Sequence, residues 1–178
     1  AAQRLWTSLV DADGPGGPAA SLMWNGGFES DILKDFSQFD WRFDQSEYAR
    51  LIIDSTTSHT GSRSLRIIFA GRDTTNFDNA IKQLIVVQPG ASYTIECYVK
   101  TSNLETSEGP RIFVTDGASD DLIASSEPVA AGSSDWRFLS VGFVAPGNSP
   151  AVYVSIKRKP RYSYDEPTKG SVWFDDFK

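Results

Sequence analysis

The chain has 178 residues, with 40% hydrophobic and 12% aromatic side chains, a size and composition typical of one folded domain. Its formal net charge of −6 argues against nucleic acid as a partner, because neutralising phosphate groups requires a basic face. No apolar stretch is long enough to span a bilayer, so we expect no membrane insertion.

Residues 1–21 are predicted to be an N-terminal extension that precedes the folded domain. Residues 11–21 read DADGPGGPAAS, and Gly and Pro at this density favour a linker. The Asp11–Gly14 stretch is similar to the start of a calcium-binding loop, but it lacks the later ligands and the closing Glu. We therefore place the domain at residues 22–178.

The domain is predicted to contain about eight to ten short strands and no amphipathic helix. The first predicted strands cover residues 22–24, 49–54, 64–69 and 84–87. The later ones cover residues 93–100, 111–115, 136–144, 152–157 and 171–177, with a weak strand within 116–132. Aromatic-rich residues 36–43 form a loop or a short strand, and residues 71–79, 103–110 and 159–169 form loops. This pattern predicts an all-β fold, an antiparallel β-sandwich of the jelly-roll type.

The most regular stretch runs from Ile81 to Thr101. An apolar run ends at Pro89-Gly90, a pair that suits the two central positions of a type II turn. The next run alternates strictly, which predicts that Tyr93, Ile95, Cys97 and Val99 face the core while Glu96, Tyr98 and Lys100 face outward. The sequence leaves open whether the two strands share one sheet or cross between two sheets.

A cluster of basic residues occurs late in the chain, at Lys157, Arg158, Lys159 and Arg161. Since Asp165 and Glu166 lie close by in the sequence, we interpret the cluster as a solvated loop.

The residues needed for common catalytic sites are missing. His59 is the only histidine and Cys97 the only cysteine, which excludes a histidine-rich zinc site and a disulfide framework. The carboxylate pairs Asp120-Asp121 and Asp175-Asp176 are adjacent in sequence, so on a strand their side chains point to opposite faces. We therefore predict that the protein is not an enzyme.

Four short motifs follow one another within residues 22–177: NGGFE at 25–29, HTGSRSL at 59–65, VQPGASY at 87–93 and WFDDF at 173–177. Together they resemble the jelly-roll carbohydrate-binding modules appended to xylanases and glucanases, with their N-G-x-F-E, G-x-x-S-L, P-G-x-x-Y and D-D motifs. The resemblance implies a noncatalytic domain that binds a polysaccharide or another glycan. It also implies tethering to other domains of a larger protein that is secreted, periplasmic or part of the cell envelope.

The same resemblance implies a structural calcium ion held by Glu29 and Asp175, together with carbonyl groups of the Gly-Ser turn. Two carboxylates would offset the charge of Ca²⁺ and supply the hard oxygen ligands that it prefers. The alternative is that both side chains cap strand ends or pair with arginine.

Sugar sites in such modules combine aromatic rings, which stack on pyranose faces, with polar groups that bind hydroxyls. The predicted carbohydrate-binding residues are Tyr98, Glu96, Phe113 and Tyr153 on strands, with Trp41 and Trp136 at the flanks. The alternative for each ring is a place in the core or at the end of the sandwich.

Two other functions remain open at this point. The domain could be a structural or protein-interaction sandwich that binds no sugar, or a small hydrolase on a jelly roll. A sheet face filled by loops would favour the first, and two facing carboxylates in a cleft would be needed for the second.

Overall fold

The structure is a computed structural model that describes residues 21–32, 39–44, 49–71, 77–162 and 165–178. The predicted extension therefore lies, up to Ala20, outside the described residues. These described residues contain ten strands, all antiparallel to their neighbours. They are β1 (Arg42–Phe43), β2 (Ala49–Asp54), β3 (Ser64–Ala70), β4 (Phe77–Val86), β5 (Ser92–Glu105), β6 (Arg111–Asp116), β7 (Leu122–Ser125), β8 (Gly132–Val144), β9 (Ala151–Arg158) and β10 (Lys169–Asp175).

The strands form two five-stranded sheets. Sheet A has the order β1-β4-β9-β6-β7, and sheet B has the order β2-β3-β10-β5-β8. Buried side chains of both sheets belong to one hydrophobic core, so the sheets pack face to face. The prediction of an all-β antiparallel sandwich is confirmed. None of the described residues lies in a helix, and no described helix is a candidate for crossing a membrane.

The Pro89-Gly90 turn carries the chain from sheet A to sheet B. The amide of Ala91 donates to the carbonyl of Gln88 (3.1 Å), and Gly90 has a φ of +76°, a conformation that favours glycine. Because β4 belongs to sheet A and β5 to sheet B, the two strands cross between sheets rather than pairing. The turn thus places consecutive strands on opposite sides of the core.

Inward-facing residues follow the predicted alternation. Ile95, Cys97 and Val99 of β5 are buried, and Val152, Val154 and Ile156 of β9 are fully buried. Burial strongly raises the pKa of the Cys97 thiol, which is therefore an inert core group.

The opening NGGFE motif is fixed against the end of the last strand. The amide of Phe177 donates to the carbonyl of Gly26 (3.0 Å), and a Cβ atom at Gly26 would overlap the carbonyl oxygen of Phe177. Only glycine permits this close approach of two backbone segments. The ring of Phe28 then packs in the core beside Phe177, with centroids 6.2 Å apart.

Several predicted boundaries need correction. Residues 22–24 form bends and a turn rather than a strand, and β4 begins at Phe77, within the stretch predicted as a loop. The interpretation of the basic cluster as a solvated loop is wrong for Lys157 and Arg158, which end β9 and are buried. Arg158 is covered at the sandwich end, where its Nε donates to the carbonyl of Glu108 (3.0 Å).

Candidate functional site

The outward side of sheet A, called face A below, is defined by two rows of side chains. Paired residues of antiparallel strands lie on the same face, and the core row consists of Ile81, Ile156 and Ile112. The side chains that alternate with this core row along each strand therefore face away from the core, and they form two rows. The first row is Arg42, Lys82, Ser155, Phe113 and Ser125, and the second is Leu84, Tyr153, Thr115 and Leu122.

Two aromatic rings of face A lie beside cations. The Nζ atom of Lys82 is 5.1 Å from the centroid of the Tyr153 ring. Lys157 and Lys159 each place Nζ 5.9 Å from the centroid of the Phe113 ring. Both rings are partly exposed, so face A offers apolar ring surfaces next to hydrogen-bond donors. Phe113 and Tyr153 thus face outward together, as the alternation of their strands predicts.

Ser155 lies at the centre of face A with an unsatisfied hydroxyl. The residue is 1% exposed, and its Oγ has no hydrogen-bond partner among the described residues. Buried hydroxyls nearly always have a partner, and leaving one without costs roughly 1–3 kcal/mol. Its register partners are Lys82 on one side and Phe113 on the other. A ligand hydroxyl or carboxylate is one group that could complete this hydrogen bond.

The outward side of sheet B, called face B, carries the second group of predicted residues. Tyr98 faces outward as predicted, in register with Asp175 and Phe138. However, the His59 ring stacks on the Tyr98 ring with centroids 3.7 Å apart and an interplanar angle of 14°. One face of the tyrosine ring is therefore already occupied by a protein ring.

The other residues of face B surround this stack. Phe138, which is 53% exposed, meets Tyr98 edge-on at 5.7 Å, and Trp136 meets His59 edge-on at 5.6 Å. The carboxylate of Glu96 pairs with Lys178 at 3.1 Å. The predicted sugar-binding residues are thus divided between two opposite faces, with Phe113 and Tyr153 on face A and Tyr98, Glu96 and Trp136 on face B.

Trp41 lies on neither face. Its side chain is fully buried, with its ring 5.3 Å from Phe28 and 5.1 Å from Phe177 between centroids. Its indole N–H donates to the carbonyl of Asn25 (3.1 Å). The interpretation of Trp41 as a sugar-stacking ring is therefore wrong, because the ring is a core residue with its polar atom already satisfied.

The two predicted calcium ligands lie on either side of the turn at residues 59–63. Glu29 accepts hydrogen bonds from the amides of Ser62 (2.8 Å) and Arg63 (2.9 Å), and from the Ser62 hydroxyl (2.8 Å). Burial alone would raise the pKa of Glu29, but these hydrogen bonds and the Arg63 charge lower it overall. Asp175 accepts from the amides of His59 (2.7 Å) and Thr60 (3.3 Å).

Carboxylate oxygens of Asp175 and Asp176 nevertheless lie near the same glycine, Gly27, with the Glu29 side chain beside them. A Cβ atom placed on Gly27 would lie 3.7 Å from an Oδ1 of both Asp175 and Asp176, and 3.8 Å from Cγ of Glu29. Burial, with the nearby Asp176 charge, raises the pKa of Asp175 to about 6. Among the described residues, no three acidic, histidine or cysteine side chains are arranged to hold a metal. The donor types suit calcium, but several oxygens would have to exchange amide donors for the ion.

Comparison with known proteins gives the family. A family model described as "Carbohydrate binding domain" matches residues 20–166 of this chain. This chain belongs to that carbohydrate-binding family. The predicted resemblance to carbohydrate-binding modules and the noncatalytic, sugar-binding function are therefore confirmed, and no comparison supports the alternative of a sandwich without sugar binding. Since carbohydrate-binding families of this kind consist of noncatalytic binding modules, the domain is not an enzyme.

Solved structures agree on the fold of this carbohydrate-binding domain. A CBM4 structure has 18% sequence identity and a TM-score of 0.58, over 86% of this chain and 96% of that chain. A xylan-binding domain from CBM22 has 17% identity and a TM-score of 0.50, over 90% and 94% of the two chains. The endo-1,4-β-D-xylanase 10B of Clostridium thermocellum, solved with xylohexaose, has 18% identity and a TM-score of 0.50, over 77% of this chain and 25% of that chain. No curated protein matches the sequence significantly.

Sequence reasoning missed several residues of this carbohydrate-binding domain. The alternation within β4 could have shown that Lys82 faces outward, and that within β9 that Ser155 does. No signal in the sequence shows that Lys82, Ser155 and Phe113 form one row, because that depends on the pairing of β4, β9 and β6. The stack of His59 on Tyr98 was likewise not predictable from local patterns.

Proposed function

We propose that face A is where this carbohydrate-binding domain binds its glycan. The buried Ser155 hydroxyl, lacking a partner among the described residues and flanked by Lys82 and Phe113, is the observation that carries the proposal. A sugar ring would stack on Phe113 or Tyr153, and its polar groups would meet Lys82 and Ser155. Because Ser155 is 1% exposed, side chains around it would have to move for the sugar to reach its hydroxyl.

Truncating the two rings of face A tests this location. We expect Phe113→Ala and Tyr153→Ala each to weaken binding to soluble xylan or β-glucan about tenfold or more, because a stacking surface is lost. Isothermal titration calorimetry or affinity electrophoresis would measure the change. The control is Phe138→Ala, which removes an exposed ring from face B. Loss of binding in the control alone would place the site on face B.

Face B is a second candidate surface, supported by the exposed Phe138 ring beside Tyr98 and Trp136. If Tyr98 contacts the sugar, Tyr98→Ala should weaken binding while changing stability less than the loss of a fully buried ring. The stack with His59 leaves less of its ring free, and for this reason we place face A first. Unchanged affinity in Tyr98→Ala, with native melting behaviour, would remove face B from consideration.

We also propose that Glu29, Asp175 and Asp176 hold a structural calcium ion beside the turn at residues 59–63. Support comes from the carboxylate oxygens of Asp175 and Asp176 near Gly27, from the neighbouring Glu29 side chain, and from the burial of Asp175. When bound, the ion would offset their mutual repulsion and tie the first motif to the last strand.

A chelator experiment tests the ion. Since binding to the native state alone stabilises by mass action, we expect EDTA to lower the melting temperature of the wild-type domain. Glu29→Ala and Asp175→Ala should lower it further and abolish the EDTA effect, whereas Asp135→Ala, at an exposed carboxylate, should keep it. A wild-type melting curve unmoved by EDTA, with no calcium found by elemental analysis, would contradict the proposal.

The polysaccharide ligand of the family also indicates the cellular compartment of the domain and its attachment to other domains. We propose that the domain acts outside the cytoplasm, on a secreted, periplasmic or cell-envelope protein, where polysaccharides are encountered. A tether to other domains is supported by the Clostridium thermocellum xylanase, in which a module of this fold is one part of a longer chain.

A further inference from the structure

The charged side chains on the described strands of face A are basic, and two carboxylates from neighbouring loops are bound at its edge, Glu108 to Arg111 and Asp120 to the Thr115 hydroxyl (2.9 Å). At the described outward positions of β1, β6 and β9, and of β4 from Lys82 onward, the charged residues are Arg42, Lys82, Arg111 and the largely buried Lys157. The chain as a whole carries a net charge of −6, so this basic surface runs against the overall balance. A local excess of cations on an acidic protein points to an anionic ligand rather than to general solubility.

Lys82 is the residue that carries this argument. It forms no ion pair with the residues that the structure describes, and its Nζ lies over the Tyr153 ring, 5.1 Å from the centroid. In register it lies between Arg42 and Ser155. By contrast, Arg111 is already paired with Glu108, which also lies 3.8 Å from Arg161. Lys82 therefore keeps a charge that a ligand can use.

The neighbours of Lys82 define what such a ligand must contain. Tyr153 and Phe113 supply ring surfaces for a pyranose, and the Ser155 hydroxyl is a donor without a described partner. A sugar ring with a carboxylate attached meets all of these groups at once, since the carboxylate accepts from an ammonium and a hydroxyl. Neutral glucans and xylans would leave the lysine charge uncompensated.

We propose that face A recognises an acidic polysaccharide, one that carries uronic acid residues, through Lys82 and Ser155. This rests on the proposed function above, because it names the ligand class of the same face. The charge-assisted contacts give the preference for the acidic sugar. The Phe113 and Tyr153 rings contribute affinity for acidic and neutral sugars alike.

The test compares two polymers that differ only in their carboxylates: glucuronoxylan and the same polymer after chemical reduction of its carboxyl groups. We expect the wild-type domain to bind the acidic polymer roughly tenfold more tightly at low salt, and the preference to shrink as sodium chloride rises. Lys82→Met should abolish the preference, because it weakens binding to the acidic polymer much more than binding to the reduced polymer. Lys82→Arg should retain it, as should Lys100→Met on face B, where the lysine pairs with Asp135.

Each contrary result has its own meaning. If the wild type bound both polymers equally and Phe113→Ala lost binding to both, the charge proposal would be overturned but face A would remain the site. Binding of both that survives Phe113→Ala and Tyr153→Ala would overturn face A itself. If dextran sulfate competed as strongly as glucuronoxylan, face A would attract any polyanion, and the uronic acid assignment would be overturned. Failure of the wild type to bind either polymer would also overturn that assignment.

Discussion

Replacing Trp41 with alanine is expected to lower the free energy of unfolding by about 3–5 kcal/mol, the usual cost of truncating a buried aromatic side chain. The ring is fully buried between Phe28 and Phe177, and its N–H donates to the carbonyl of Asn25. The variant leaves a cavity and removes one of the two donors to that carbonyl, which still accepts from the amide of Phe28 (3.0 Å). Urea or guanidinium denaturation followed by fluorescence or circular dichroism measures the change.

Trp136→Ala is the matched control, because it removes the same ring type from a partly exposed position on face B. Its loss of stability should be clearly smaller, since part of the Trp136 ring is already in contact with water in the folded state. If Trp41→Ala kept near-wild-type stability and instead lost glycan binding, the ring would be a ligand contact and its assignment to the core would be wrong.

The pH dependence of stability should report on Asp175. Burial, reinforced by the nearby charge of Asp176, raises its folded-state pKa from 3.8 to about 6. Because the folded protein holds this proton more tightly than the unfolded chain, the stabilisation is fully present below the unfolded pKa and is lost as pH rises through about 6. In EDTA, the stability of the wild type minus that of Asp175→Asn should fall by about 2 kcal/mol between pH 4 and pH 7.

The difference between the two proteins isolates this carboxyl from the others. Amide hydrogen bonds from Ser119 and Ala118 lower the pKa of Asp116, for example, so its contribution to stability grows with pH. Such contributions are common to wild type and variant, and they cancel. A difference that stays constant across the range, or a carboxyl carbon of Asp175 that titrates near pH 4 by NMR, would contradict the prediction.

Local patterns of the sequence determined the strands and the direction in which their side chains point. Alternation in β5, β6 and β9 predicted that Tyr98, Phe113 and Tyr153 face outward, and the structure agrees. The Pro89-Gly90 turn was predictable because φ restrictions act on single residues. The motif order indicated a carbohydrate-binding family, which the family model confirms. The sugar and calcium contacts themselves remain predictions.

Only the tertiary structure decided which strands share a sheet, and therefore which residues share a face. Strand pairing is set by contacts between distant segments, so Tyr98 and Phe113 point outward on opposite sides of the molecule. The same long-range packing buries Trp41, stacks His59 on Tyr98 and places Lys82 beside Ser155. Alternation predicts only whether a side chain points toward the core or away from it. Its neighbours, its burial and whether its charge is paired depend on how the ten described strands assemble.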